Sequence, residues 1–178
     1  MADEDRSSPV LPPEQRPPWD QLKGMPASRI SGRKPILVAH RGASGSAPEN
    51  TLAAFRAAAE SGADGVECDV QRTRDGHLVV FHDDDVDRVS DGRGILAEMT
   101  LEQVKGLDVG SWFGAGFRGE RIPTLHETFD LLRGTDLLLM IELKAPWRYP
   151  GMEAEVAALV REYGLVEWTP VRSFYHAA

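Results

Sequence analysis

The hydrophobic and polar positions along the chain change character at residue 35. Before that point no period of two or of 3.6 is visible, large apolar residues are few, and seven of the twelve prolines are found there (Pro9, Pro12, Pro13, Pro17, Pro18, Pro26, Pro35). Such a segment buries too little surface to offset its ordering entropy, so residues 1–35 are expected to be a disordered or loosely packed extension. From Ile36 the pattern is regular. Ile36-Leu37-Val38-Ala39 is an apolar run of strand length ending at His40-Arg41-Gly42. Asn50 or Thr51 then caps a helix whose Leu52, Phe55 and Ala59 share one face, and Gly62 stops it. Gly65 to Val70 and Leu78 to Phe81 read as two further strands, separated by the turn signal Asp75-Gly76.

Two capping boxes follow, Thr100-x-x-Gln103 and Thr124-x-x-Glu127, each opening an apolar-periodic segment. Between them, Gly106 to Gly119 is glycine-rich and aromatic, a loop rather than an element. Leu137 to Leu143 is a continuous apolar strand. Val156, Leu159, Val160 and Tyr163 make the inner stripe of another helix, ended by Gly164, and Val171 to Phe174 starts a fifth strand. Apolar strands alternating with helices predict an α/β fold with a parallel sheet covered by helices. The polar residues fall at the strand ends: His40-Arg41, then Glu67 and Asp69, His82, Glu142 and Lys144, and Ser173. Chemistry at the C-terminal ends of successive strands is the arrangement of a (β/α) barrel of the TIM type, where those ends share one mouth. An open doubly wound sheet would not normally use all five ends.

Composition narrows the function classes. The chain has 178 residues and a net charge of −8. The first 35 residues contribute +1 and the remaining 143 contribute −9. That balance lacks the basic footprint for wrapping nucleic acid and the polybasic cluster for anionic membranes. The longest apolar run, Leu137 to Ile141, is far below the ~20 residues of a membrane span. One cysteine, Cys68, offers neither an internal disulfide nor a zinc pattern, and no apolar segment follows a basic start at the N-terminus. These features lead us to expect a cytoplasmic protein.

Glu67 and Asp69 stand two apart on one strand and so point to the same side, a geometry Glu142 and Lys144 repeat. Three carboxylates at one mouth repel one another, each pair costing roughly 3 kcal/mol at ~5 Å and an effective dielectric of ~20. A divalent cation would remove that cost, and all-oxygen ligation favours a hard ion, Mg²⁺ or Ca²⁺. The alternative is that the acids only pair with Arg41 and Lys144.

The blocks Ala39-His40-Arg41-Gly42, Pro48-Glu49-Asn50-Thr51, Glu67-Cys68-Asp69-Val70, Val80-Phe81-His82-Asp83, Ile122-Pro123-Thr124-Leu125, Ile141-Glu142-Leu143-Lys144 and Ser173-Phe174 occur in this order and spacing. From about Pro35 onward the chain therefore resembles the glycerophosphodiester phosphodiesterase family. The resemblance implies a TIM-type barrel that hydrolyses small-molecule glycerophosphodiesters to glycerol 3-phosphate and an alcohol with a divalent metal. It implies Glu67, Asp69 and Glu142 as metal ligands and His40 and His82 as the catalytic pair. One group assists attack on phosphorus and the other protonates the departing alkoxide, work for which imidazole titrates in the right range. Arg41 suits the phosphate as a bidentate clamp and Lys144 as a point charge. Two other functions are compatible with the same residues: a non-catalytic fragment or pseudoenzyme, and a lysophospholipase D-like activity on lipid phosphodiesters.

Other signals carry less. Asp83, Asp85 and Asp87 imitate the start of an EF-hand loop, but Arg88 and Gly94 stand where that loop needs Gly and Glu, so loop turn chemistry is expected. Ser44 and Ser46 lack the spacing of a nucleophile elbow. Cys68 alternates away from its acidic neighbours and is expected to pack, His77 and His126 to lie at the surface, and Trp112, Phe113 and Phe117 to pack in their loop. Tyr175 stands where the family commonly has an acid after Ser-Phe. A complete barrel takes ~200 to 250 residues. Residues 36–178 are therefore expected to form the N-terminal part of one, about five of eight strands, with the first and fifth as open edges and a tendency to self-associate.

Overall fold

In the computed structural model, the structure describes residues 36–133 and 135–175. The extension expected over residues 1–35 lies outside them. Among the described residues, five strands and four α-helices follow in the order β1 (Val38–Ala39), α1 (Leu52–Glu60), β2 (Gly65–Arg72), β3 (Leu78–Val80), α2 (Leu101–Gly106), α3 (Leu125–Leu132), β4 (Leu138–Leu143), α4 (Met152–Glu162) and β5 (Val171–Arg172). Three of the four described helices, α1, α2 and α3, begin where a cap lies in the sequence. The Thr51 hydroxyl accepts the Ala54 amide at the start of α1. Thr100 with Gln103 and Thr124 with Glu127 form complete capping boxes on α2 and α3. Gly62 and Gly164, just past α1 and α4, take the left-handed conformation that stops a helix there.

The sheet runs β1-β2-β4-β5, all parallel, with β1 and β5 at its edges. The third strand departs from expectation, because β3 pairs antiparallel with the far end of β2. The reason lies in the connection. Only residues 73–77 separate the two strands, and a parallel pairing needs a crossover of about a dozen residues or more. Gly76, at φ +93°, and the bond from the Thr73 amide to the His77 carbonyl close a hairpin instead.

Alternation splits each strand between two environments. Val66, Cys68 and Val70 of β2 and Leu139, Ile141 and Leu143 of β4 join Phe55, Phe129, Met152, Val156 and Leu159 of the helices in one buried cluster. Cys68 is thus a packing residue, as its alternation implies. Glu67, Asp69 and Gln71 of β2 therefore project from the opposite face. A second cluster, including Val79, Phe81, Val86, Leu96, Val104 and Ile122, anchors the long segment after β3. Among the described residues no helix is long and apolar enough to cross a membrane.

Candidate active site

Strand register assembles the site. Asp69 pairs with Glu142, Glu142 with Arg172, and Ala39 with Val66, which sets His40 level with Glu67 at the same end of the sheet. Glu67, Asp69 and Glu142 are 2%, 1% and 5% exposed, and oxygens of all three lie within 4.8 Å of one another. Burial, and then the Asp69 charge, push the Glu67 carboxyl above its usual range against the lowering pull of the Arg41 amide, His40 and Arg172. Protein cations do not fully relieve this cluster. Three buried carboxylates, with no soft donor among them, form an oxygen set that can hold a divalent metal ion.

The turn after β1 presents Arg41 to these acids. Arg41 and Gly42 are both left-handed, at φ +57° and +78°. Gly42 tolerates this without cost, and a Cβ there would meet the Ala54 backbone at 2.8 Å. The turn aims the Arg41 amide at Glu67 Oε2 (3.0 Å) and its guanidinium at Glu49 Oε1 (2.8 Å). Arg41 Nε lies 3.4 Å from Asp69 Oδ2 but makes no hydrogen bond, so a buried donor is left for a ligand oxygen. Lys144 Nζ sits 2.9 Å from Glu142 Oε1 and 3.7 Å from Asp69 Oδ1. The His40 side chain is 64% exposed, with Nε2 3.8 Å from Glu67 Oε2.

His82 reaches this end differently from the way its strand position implies. The antiparallel β3 runs back along β2, the Phe81 amide donates to the Asp69 carbonyl, and His82 follows immediately. The buried Gln71 amide gathers the segment by donating to the carbonyls of Phe81, His82 and Asp83 at 3.1, 3.2 and 2.7 Å. Tyr149 in turn donates to Gln71 Oε1. His82 Nδ1 is 2.6 Å from Asp83 Oδ1. Burial raises the Asp83 carboxyl, but hydrogen bonds from Arg88 and His82 outweigh it and hold it below the usual range. Asp83 is thus a carboxylate, and Nδ1 carries the proton it accepts.

The sequence-predicted residues His40, Arg41, Glu67, Asp69, His82, Glu142 and Lys144 therefore stand at one end of the sheet. Ser173 does not act there through its hydroxyl, which donates to the Leu143 carbonyl. Asp85 and Asp87 make turn contacts, as expected. His77 is half-exposed beside Asp75, His126 contacts Tyr163 at the surface, and Trp112, Phe113 and Phe117 stack edge to face within their loop. Asp83 does more than turn chemistry, since it holds His82.

Five positions were missed as site residues. Asn50 ties Asp69 from both sides, and Gln71 is described above. Glu49 receives Arg41 and both terminal nitrogens of Arg88, while Arg88 Nε donates to Asp83 Oδ2 at 2.6 Å. Arg172 bridges Glu67 and Glu142, each at 3.3 Å. Glu49 and Asn50 lie inside the Pro-Glu-Asn-Thr block, and that position was a signal. Arg172 had none, because its partners are 30 and 105 residues away, and Arg88 lies five residues from Asp83 but 39 from Glu49.

Carboxylates, imidazoles and cations gathered at the ends of parallel strands define an α/β protein of the TIM-barrel class, the class of the solved neighbours. The chain belongs to the glycerophosphoryl diester phosphodiesterase family, whose sequence profile matches residues 40–171. It is 50% identical over 144 residues to a glycerophosphodiester phosphodiesterase of Caldanaerobacter subterraneus, a match covering 80% of this chain and 59% of that protein. A crystal structure of a glycerophosphodiester phosphodiesterase from Agrobacterium tumefaciens superposes with TM-score 0.74 at 42% identity, covering 80% of this chain and 59% of that one. An Oleispira antarctica phosphodiesterase, solved with the product sn-glycerol-3-phosphate, superposes at 0.70 with 38% identity and 58% of its chain covered. The chain thus spans somewhat under two thirds of these relatives.

Proposed function

We propose that this protein hydrolyses small glycerophosphodiesters to glycerol 3-phosphate and an alcohol, with a divalent cation held by Glu67, Asp69 and Glu142. The observation that carries the proposal is the convergence of three buried carboxylates, two imidazoles and the unpartnered Arg41 Nε on one end of the sheet. The product bound by the Oleispira antarctica relative supports the substrate class. An oxygen-only ligand set favours Mg²⁺ or Ca²⁺.

The diester carries one negative charge, and attack places more on the equatorial phosphoryl oxygens. Arg41 Nε and Lys144 Nζ are the protein donors for those oxygens. When bound, the cation supplies charge neutralisation and polarises an oxygen. Water forms the new P–O bond, the alcohol P–O bond breaks, one imidazole takes the water proton, and the other returns a proton to the leaving alkoxide. With Nδ1 committed to Asp83, His82 exchanges protons through Nε2. His40 is open to solvent and substrate beside Glu67. The same proposal places the protein in the cytoplasm, in keeping with its acidity and single buried cysteine.

The test is glycerol 3-phosphate release from glycerophosphocholine and glycerophosphoethanolamine. His40→Ala and His82→Ala are each expected to lower kcat by ~10²-fold or more while divalent-cation affinity stays near that of the parent. Glu142→Ala is expected to weaken cation binding itself. Parent turnover in either histidine variant overturns its role.

A further inference from the structure

Arg172 touches the carboxylate cluster but has no part in the proposed hydrolysis, and it is placed by the sheet itself. Glu142 and Arg172 are register partners on β4 and β5, so parallel pairing carries the guanidinium to the carboxylate cluster. Its Nη2 lies 3.3 Å from Glu67 Oε1 and 3.3 Å from Glu142 Oε2. Among the described residues it is the only permanently cationic side chain paired with Glu67.

The oxygens of the two glutamates show what that contact does. Glu67 Oε2 accepts the Arg41 amide at 3.0 Å, and Glu142 Oε1 accepts Lys144 Nζ at 2.9 Å. The remaining two oxygens, Glu67 Oε1 and Glu142 Oε2, are both taken by Arg172. All four are therefore engaged by protein donors, and a cation ligated by these acids competes with those donors for the oxygen lone pairs. The Arg41 amide is fixed in its left-handed turn, and Lys144 is only 20% exposed at the end of β4. Arg172 is 44% exposed on a long side chain, and its guanidinium carbon stands 5.8 Å from the centroid of the exposed Phe174 ring. It is the donor that leaves most easily. Charge points the same way. Three carboxylates face Arg41 and Lys144, and Arg41 is already shared with Glu49; Arg172 reduces the excess of negative charge without removing it.

We infer that Arg172 is the resident counter-cation of the carboxylate cluster, holding Glu67 and Glu142 in place without metal and competing with a divalent cation for their oxygens. This inference rests on the reading of Glu67, Asp69 and Glu142 as a cation site. It is a property of the binding equilibrium and is measured without turnover.

The experiment titrates the full 178-residue chain with Mg²⁺ and with Ca²⁺ by calorimetry, as the parent, Arg172→Gln and Arg172→Lys, and records each melting temperature in chelator. Arg172→Gln is expected to bind the cation at least about tenfold more tightly than the parent, because a repelling charge and a competing donor are gone. Arg172→Lys keeps the charge and is expected to stay close to the parent. In chelator, Arg172→Gln is expected to melt below both. A metal-free Arg172→Gln chain that unfolds while Arg172→Lys stays folded supports the same role. Cation affinity in Arg172→Gln equal to or weaker than the parent overturns the inference. If no form binds either cation, the cation-site reading fails separately, and the melting temperatures alone decide: equal values in chelator for Arg172→Gln and Arg172→Lys overturn the counter-cation role as well.

Discussion

Asn50 gives the sharpest numerical test of how the carboxylate cluster is held. It is 3% exposed and left-handed at φ +55°. Its Nδ2 donates to Asp69 Oδ2 at 2.9 Å, and its Oδ1 accepts the Asp69 amide at 3.3 Å. Replacing it by alanine removes both bonds. The bond to an ionised carboxylate is worth about 1.5–3 kcal/mol and the backbone bond about 0.5–1.5 kcal/mol, so the loss is about 2–4 kcal/mol. Asn50→Gly loses the same two bonds but no longer holds a Cβ in the left-handed region. After allowance for the extra freedom of glycine in the unfolded chain, it should be about 1 kcal/mol more stable than Asn50→Ala. Urea unfolding followed by circular dichroism measures both differences. The same variants release Asp69 from its orienting partner, and loss of such support typically weakens metal affinity about 10–100-fold. An Asn50→Ala protein within ~0.5 kcal/mol of the parent would refute the bidentate pairing. A glycine variant less stable than the alanine variant would refute the backbone argument.

Two further predictions concern the loops. Gly42→Ala adds a Cβ at φ +78°, 2.7 Å from Ala54 Cβ. It is expected to cost about 2–5 kcal/mol from left-handed strain and overpacking, and to displace the Arg41 amide from Glu67, read as a lower melting temperature together with weaker cation binding. Asp108 accepts the amides of Ser111, Gly110 and Gly119 and the Ser111 hydroxyl, which holds its carboxyl well below the usual range. A depressed folded-state value contributes stability above the unfolded-state value of ~4, lost as pH falls through the folded value. Asp108→Asn should therefore lower the melting temperature at pH 7, with a gap that begins to narrow only as pH falls below ~4 toward the depressed folded value; a gap that is constant with pH contradicts the charge-assisted origin.

Local signals in the sequence were reliable where the physics is local. Thr100 with Gln103 and Thr124 with Glu127 sit three residues apart, and both boxes formed where that spacing put them. Glu67, Asp69 and Glu142 could be placed together because strand alternation and a shared sheet end need no long-range knowledge. The direction of β3 was also legible, since residues 73–77 are too few for a crossover, but the alternation of strands and helices suggested a uniform parallel sheet. The tie from Arg41 through Glu49 and Arg88 to Asp83 and His82 was not legible. Its parts are charged residues in loops, where most charges face water, and only folding brings Arg88 within 2.7 Å of Glu49. Arg172 was hidden for a different reason: Ser173 reads as the polar group of the fifth strand end, and alternation then turns Arg172 to the other face.

The central claim is that this carboxylate–imidazole site cleaves a glycerophosphodiester at phosphorus. Incubating the chain with glycerophosphocholine in ¹⁸O-water, with Mg²⁺ or Ca²⁺ and in parallel with chelator, and following ³¹P resonances tests it directly. The account predicts glycerol 3-phosphate carrying a single ¹⁸O on phosphorus, formed only where divalent cation is present. Label appearing in choline instead of in glycerol 3-phosphate, or undiminished turnover after exhaustive chelation, would contradict it.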